Sequence, residues 1–353
     1  MAAYRPVSRI ADRKGKKSAD PVPTRFQEFS EVVRPQLDAA FRAHLTGLLG
    51  DEVPIGSGRK TDILSGGKRI RGSLLCLVAS ALGGALKDAL SRAVAVELIQ
   101  TATLIHDDVV DQHRSRRNSP ALWTLEGARK AVLLGDIIFA SAIRMMSELG
   151  REDGLIASRA IAEVSRGAYQ EPLNPSSLLE DTAVADAWDT ALYEKIIGLK
   201  TGVLFGSASR LGAVSAKASG RSLQRWYQYG LKIGEAYQIA DDLHEIERCL
   251  ITRSMTRSEI IALAPALLFF VRESRPDLLK VLRRQSMVLR TELPKHFETA
   301  AGIMKVEIAS RLQSAISAME DDFPDNEYGR VARRAPRDII AMFDEARTSV
   351  SSP

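Results

Sequence analysis

Two acidic clusters sit inside apolar, helix-forming stretches of the chain, and any fold it adopts must accommodate their charge. Asp107-Asp108-Val109-Val110-Asp111 follows the run Ala95 to His106, and Asp241-Asp242-Leu243-His244-Glu245 follows Gly234 to Ala240. On a helix Asp107 and Asp111 stand four apart and Asp108 and Asp111 three apart, so their carboxylates share one face and repel. Asp241, Asp242 and Glu245 repeat that geometry. One such face alone is ordinarily a solvated surface. Two copies in apolar settings that do not look like exposed surface helices call for a counter-charge. Hard divalent cations with oxygen ligands supply it, and magnesium shares its shell between carboxylates, water and phosphate oxygens. The pattern points to a magnesium–diphosphate site.

From about residue 26 apolar positions recur at three-to-four spacing through 72–83, 88–106, 128–149, 155–169, 189–212, 222–246, 258–271 and 299–319. Strand alternation is hard to find. Breaks are expected at Leu49-Gly50, Gly83-Gly84, Asn118-Ser119-Pro120, Gly150 and through Pro172 to Pro175. The expectation is an all-α fold, a single large helical bundle with its site in a central cavity. With 353 residues and 45% hydrophobic content the chain can bury a sizeable core, and no obvious linker divides its middle. Residues 1–25 read as a disordered basic arm, 26–320 as the helical domain and 321–353 as a polar C-terminal extension.

Cys76 and Cys249 form no disulfide framework and lack the paired spacing of a zinc site, which suits a reducing, cytoplasmic setting. The longest mostly apolar run, Ile260 to Val271, is too short to span a bilayer and contains Pro265. Part of the net charge of +5 belongs to the N-terminal arm, which lacks the apolar segment of a secretory signal. Without interleaved aromatics or a recognition motif, that arm gives no reason to expect nucleic acid as a partner.

Further blocks accompany the acidic clusters: Gly66-Gly67-Lys68-Arg69-Ile70-Arg71, then Arg116-Arg117-Asn118-Ser119-Pro120, Leu133-Leu134-Gly135-Asp136, Leu199-Lys200-Thr201-Gly202 and Tyr237-Gln238. In this order, from residue 66 to 245, the chain resembles the trans-isoprenyl diphosphate synthases, also called polyprenyl synthetases. The resemblance implies an isoprenoid-synthase bundle that condenses an allylic prenyl diphosphate with isopentenyl diphosphate, acts as a homodimer and uses Mg2+, with three ions. It implies that Asp107 and Asp111 bind metal directly with support from Asp108, and that Asp241 takes a third ion with Asp242 and Glu245 acting through water. Arg116 and Lys200 would hold the allylic diphosphate. Lys68, Arg71 and Arg117 would grip isopentenyl diphosphate, with Gln100 where the family usually has histidine. Thr201 and Gln238 would lie near the reacting carbons. His106, His113 and His244 are left as structural, since imidazole is an odd ligand for magnesium.

In the family, a residue five before the first aspartate limits product length when it is a bulky aromatic. Here it is Ala102, so a product of C20 or longer is expected, with Leu98, Ile99, Phe139 and Met145 as deeper candidates for the floor. The chain departs from the family after Glu245, which stands in place of the customary aspartate. The usual lid lysine is missing, and Arg248, Arg253 or Arg257 are candidates to replace it as diphosphate clamps. Three readings stay open: a chain-elongating prenyltransferase, a diverged terpene synthase using the same metal chemistry, and a non-catalytic subunit of a prenyl synthase.

Overall fold

The computed structural model describes residues 23–52, 62–116, 119–170, 190–252, 256–271, 278–283, 289–319 and 322–350. In chain order its helices are α1 (Phe26–Glu52), α2 (Ile70–Ala81), α3 (Leu86–Val110), α4 (Leu122–Glu126), α5 (Ala128–Leu149), α6 (Arg151–Gln170), α7 (Thr190–Ile197), a π-helical turn (Gly198–Gly202), α8 (Val203–Ser215), α9 (Gly220–Thr252), α10 (Arg257–Val271), α11 (Leu278–Arg283), α12 (Leu289–Ser317) and α13 (Glu327–Val350). Between α3 and α4 a minimal antiparallel hairpin pairs β1 (Ser115–Arg116) with β2 (Ser119–Pro120). The all-α bundle expected from the spacing of apolar residues is the fold observed.

Two apolar cores meet along α9. Its N-terminal half, through Leu223, Trp226, Tyr229 and Ile233, joins the larger core with α1, α2, α3, α5, α6, α8 and α13. Its C-terminal half, through Ala236, Ile239, Leu243 and Ile246, joins a second core with α7, α10, α11 and α12. The second acidic cluster therefore rides on a helix gripped from both ends. Where the π turn and α8 meet α9 the backbones approach too closely for side chains: a Cβ on Gly234 would lie 2.8 Å from the Cα of Gly202, and one on Gly230 would lie 2.3 Å from the Phe205 carbonyl oxygen.

Three local expectations are corrected. Leu49-Gly50 does not end a helix, because α1 runs on to Glu52 with Leu45 and Leu49 fully buried along its inner face. Within the stretch expected to be helical, Thr190 onward is one continuous helical run, but a π turn interrupts its hydrogen-bond register. The stretch expected to be a polar C-terminal extension carries a docked helix: α13 buries Val331, Ala332, Ala335 and Ile339 in the main core. Tyr229 Oη donates to the Ala332 carbonyl at 2.6 Å, and the Phe26 N–H donates to the buried Asp338 carboxylate at 2.9 Å, so α13 also locks the start of α1. Its low mean hydropathy hid this, since only one narrow stripe is apolar. Among the described residues no helix is long and apolar enough to cross a membrane.

Candidate active site

A cavity of about 640 Å³ opens between the start of α2, the C-terminal half of α3, α6, the π turn and α9. From α3 and its C-cap, Glu97, Gln100, Thr101, Thr103, Leu104, Asp107 and Asp111 all face it, and 97, 100, 104, 107 and 111 among them follow one another at intervals of three or four. Asp107 and Asp111 thus reach the cavity together, at the point where α3 ends: Asp111 caps the helix, its N–H donating to the Asp107 carbonyl at 2.8 Å. From the opposite side α9 contributes Asp241, Gln238 and Tyr237. Basic groups complete the wall, with Lys68 and Arg71 from the start of α2, Arg116 from the hairpin and Lys200 from the π turn.

Of the residues singled out from sequence, Lys68, Arg71, Gln100, Asp107, Asp111, Arg116, Lys200, Thr201, Gln238 and Asp241 share this one cavity. Asp108 does not line it. It is buried and takes the Arg116 Nε–H at 2.7 Å, with Arg116 Nη2 2.6 Å from the same oxygen, so it holds the arginine at the cavity edge. Ala102 is fully buried and lies outside the cavity wall. Two residues on from Gln100, it is turned by roughly 200° around the helix to the far side, and Leu104 faces the cavity instead. Arg117 lies outside the described residues, as does Arg253, and the side chain of Arg257 is likewise undescribed.

The second acidic cluster is divided. Asp241 faces the cavity, whereas Asp242 accepts from Tyr193 Oη at 2.6 Å and from Gln238 Nε2 at 3.2 Å. Glu245 is taken by Arg248, whose Nε lies 3.1 Å from each of its oxygens. Burial pushes the Asp241 carboxyl above the usual carboxylate range, and the charge of Glu245 adds to this against the opposing pull of His244, Arg116 and Arg71.

Thr201 completes a hydrogen-bonded line. Its hydroxyl donates to Gln238 Oε1 at 2.8 Å, Gln238 passes the line to Asp242, and Tyr193 closes it. π-Helical turns often mark functional positions, and this one carries Lys200 and Thr201. Sequence reasoning missed Tyr193, whose only signal is a place two helical turns before Thr201. It also missed the role of Arg69 beneath the basic loop. Arg69 is buried at a left-handed φ of 54°, donates to Asp38 at 2.8 Å and stacks over Phe41 at 3.8 Å, which fixes the loop that presents Lys68 and Arg71. Lys68 itself reaches the Met342 carbonyl of α13 at 3.2 Å. His106 is structural: its Nε2 meets the Val132 carbonyl at 3.0 Å in space left by Gly135.

The donor set suits a hard cation in part. Asp107, Asp111 and Asp241 offer oxygen ligands to one cavity that is also lined by Arg34, Lys68, Arg69, Arg71, Arg116 and Lys200, an arrangement that fits a divalent ion shared with phosphate oxygens. Asp242 and Glu245 do not line that cavity, and their oxygens accept hydrogen bonds from other groups of the protein. Among the described residues no three His, Cys, Asp or Glu side chains converge into a ready metal cage.

A helical bundle that brings two acidic helix segments to one basic cavity is the architecture of the isoprenoid-synthase class. The family described as polyprenyl synthetase matches residues 60–248, and the chain belongs to that family. It is 34% identical over 187 residues to a geranylgeranyl diphosphate synthase of Mycobacterium tuberculosis, a match covering 52% of each chain. A nonaprenyl diphosphate synthase of the same organism is 35% identical over 186 residues, again covering 52% of each. The chain thus spans about half the length of the relatives it matches. In three dimensions the likeness is longer: a polyprenyl synthase of Caulobacter crescentus, crystallised with calcium and isoprenyl diphosphate, superposes with a TM-score of 0.70 at 25% identity, covering 91% of this chain and 98% of that one.

Proposed function

We propose that this protein is a chain-elongating trans-prenyltransferase that joins an allylic prenyl diphosphate to isopentenyl diphosphate and releases diphosphate. The observation that carries this reading is the meeting of Asp107 and Asp111 with Asp241 in one cavity walled by Lys68, Arg71, Arg116 and Lys200. Magnesium, held by Asp107, Asp111 and Asp241, would neutralise the negative charge that develops on the leaving diphosphate.

The chain's own groups do the rest. Arg116, steadied by Asp108, and Lys200 orient the allylic diphosphate so that its C1–O bond can break. Lys68 and Arg71, with Gln100, hold the second diphosphate. An amide at position 100 donates a hydrogen bond without bringing charge, so that grip is weaker than an imidazolium would provide. Thr201 and Gln238 line the cavity as a pair joined by a 2.8 Å hydrogen bond, and would lie near the reacting carbons. After the new carbon–carbon bond forms, the surplus proton passes to the departing diphosphate.

Tyr237 is the aromatic residue among those lining the cavity, and the α3 wall below Asp107 is Thr103, Leu104, Gln100 and Thr101. No ring on that wall stops a growing chain early, which supports a product of C20 or longer. A cytoplasmic homodimer completes the reading, the apolar side chains exposed on α5 and α6, Leu133, Leu149 and Leu155, offering its interface.

Mass spectrometry of products formed with magnesium, isopentenyl diphosphate and separate C5, C10, C15 and C20 allylic diphosphates tests this. Longer prenyl diphosphates are the expected result. Hydrocarbons or alcohols would replace the reading with a terpene synthase, and no turnover despite tight substrate binding would replace it with a non-catalytic subunit.

A further inference from the structure

We infer that the second acidic cluster serves the metal site through Asp241 alone, and that Arg248 stands inside the protein as the permanent counter-cation of Glu245. The inference rests on the metal–diphosphate reading of the cavity and concerns how many carboxylates this chain brings to it.

Arg248 follows Glu245 by three residues on α9 and grips it with Nε, 3.1 Å from each carboxylate oxygen, and with Nη2. The same Nη2 lies 2.5 Å from Glu259 Oε1 on α10. Glu259 is fixed in turn. Its Oε2 takes the Thr256 N–H at 2.6 Å and the Thr256 hydroxyl at 2.9 Å, while Thr256 Oγ1 receives the Glu259 N–H at 3.2 Å. This is a capping box at the start of α10. Arg248 is therefore clamped between a helix face and a helix cap. Exposed ion pairs are ordinarily weak, but a guanidinium forked onto one carboxylate and tied to a second is the networked kind that counts.

Asp242 is withdrawn by a different route. Both of its oxygens accept hydrogen bonds from groups that other contacts hold: Tyr193, stacked 4.8 Å from Phe269, and Gln238, which Thr201 holds from its other end. Asp241 alone of the cluster faces the cavity. The bridge from Glu245 to Glu259 also joins the ends of α9 and α10 across the segment where the family resemblance leads one to expect a lysine-bearing lid. Arg248, one of the three arginines considered there as a diphosphate clamp, is spent on the protein's own carboxylates.

Mn2+ binding to the full chain in the presence of inorganic diphosphate, followed by electron paramagnetic resonance of the free ion, tests the inference without turnover. Wild type and Glu245→Gln are expected to bind the same number of ions with affinities within about twofold, whereas Asp241→Asn loses one ion or weakens it by about tenfold or more. Arg248→Met releases Glu245 and is expected to tighten the weakest ion by about fivefold, a gain absent from the Arg248→Met/Glu245→Gln double variant. Circular dichroism confirms that each variant is folded. An ion lost from Glu245→Gln as from Asp241→Asn, or Arg248→Met indistinguishable from wild type, overturns the inference while leaving the metal reading intact. Wild type binding no ion at all overturns both.

Discussion

Thr201 Oγ1 donates to Gln238 Oε1 at 2.8 Å, so the π turn and α9 are tied together one helical turn before the second acidic cluster. That bond also fixes which way the Gln238 amide points, since its Nε2 must then face Asp242, 3.2 Å away. Thr201→Ala removes the donor that sets this orientation. A net hydrogen bond of about 1 kcal/mol corresponds to roughly a fivefold fall in kcat/KM. Thr201→Ser, which keeps the hydroxyl, should retain most of the activity, and steady-state kinetics on the two variants separates orientation from bulk.

Arg116 and the buried Asp108 stand or fall as a pair. Arg116→Ala leaves a desolvated carboxylate without its partner, at a cost of about 2 kcal/mol in stability. Denaturant unfolding should show a lowered midpoint with an unchanged slope, together with weaker binding of the allylic diphosphate. The Asp108→Asn variant keeps a hydrogen-bond acceptor for the arginine and should lose less stability. A midpoint unmoved by Arg116→Ala would show that the pair contributes nothing to folding.

The raised pKa of Asp241 makes a pH prediction of definite sign. A carboxyl that holds its proton more tightly folded than unfolded favours the folded state as pH falls through its folded pKa, and opposes it above. Near neutral pH the metal-free Asp241→Asn protein should therefore melt slightly above wild type, the gap closing on acidification. The effect is small because Asp241 faces the open cavity and is screened. The rise in melting temperature that magnesium with diphosphate gives to wild type should shrink in the variant. Thermal scans across pH check both.

Gly234 lies against Gly202 with no room for a side chain. Gly234→Val should force α8 and α9 apart, costing about 1–3 kcal/mol and displacing the Thr201–Gln238 contact along with them. A loss of activity larger than the loss of folded protein, measured by activity per folded molecule, is the expected signature.

Much of this site was legible from spacing within single helices. Asp107 and Asp111 share a face because four residues make just over one turn, and the apolar period alone predicts the bundle. What sequence could not convey was the partner of each charged group. Asp108 meets Arg116 only because a two-residue hairpin folds back over the end of α3. Tyr193 meets Asp242 across 49 positions, through the packing of two helices. Ala102 is a different case: counting back from Asp107 finds the position, and the 100° step around α3, itself countable in the sequence, turns its side chain away from the cavity wall. The docking of the polar α13 was not legible because three or four buried side chains per helix suffice for it.

The π turn at Gly198–Gly202 makes this chain unusually sensitive to length as opposed to chemistry. A π turn is, in effect, one residue inserted into an α-helix, so deleting any single residue there would restore regular winding and rotate α7 by about 100° relative to α8. Tyr193 would swing off Asp242, and Glu194 off Arg311, which it now meets at 2.6 Å. Substitutions within the turn can be absorbed one contact at a time. A frame-preserving deletion of one codon would break the register of every contact α7 makes at once, so insertions and deletions, more than point changes, set the mutational boundary of this segment.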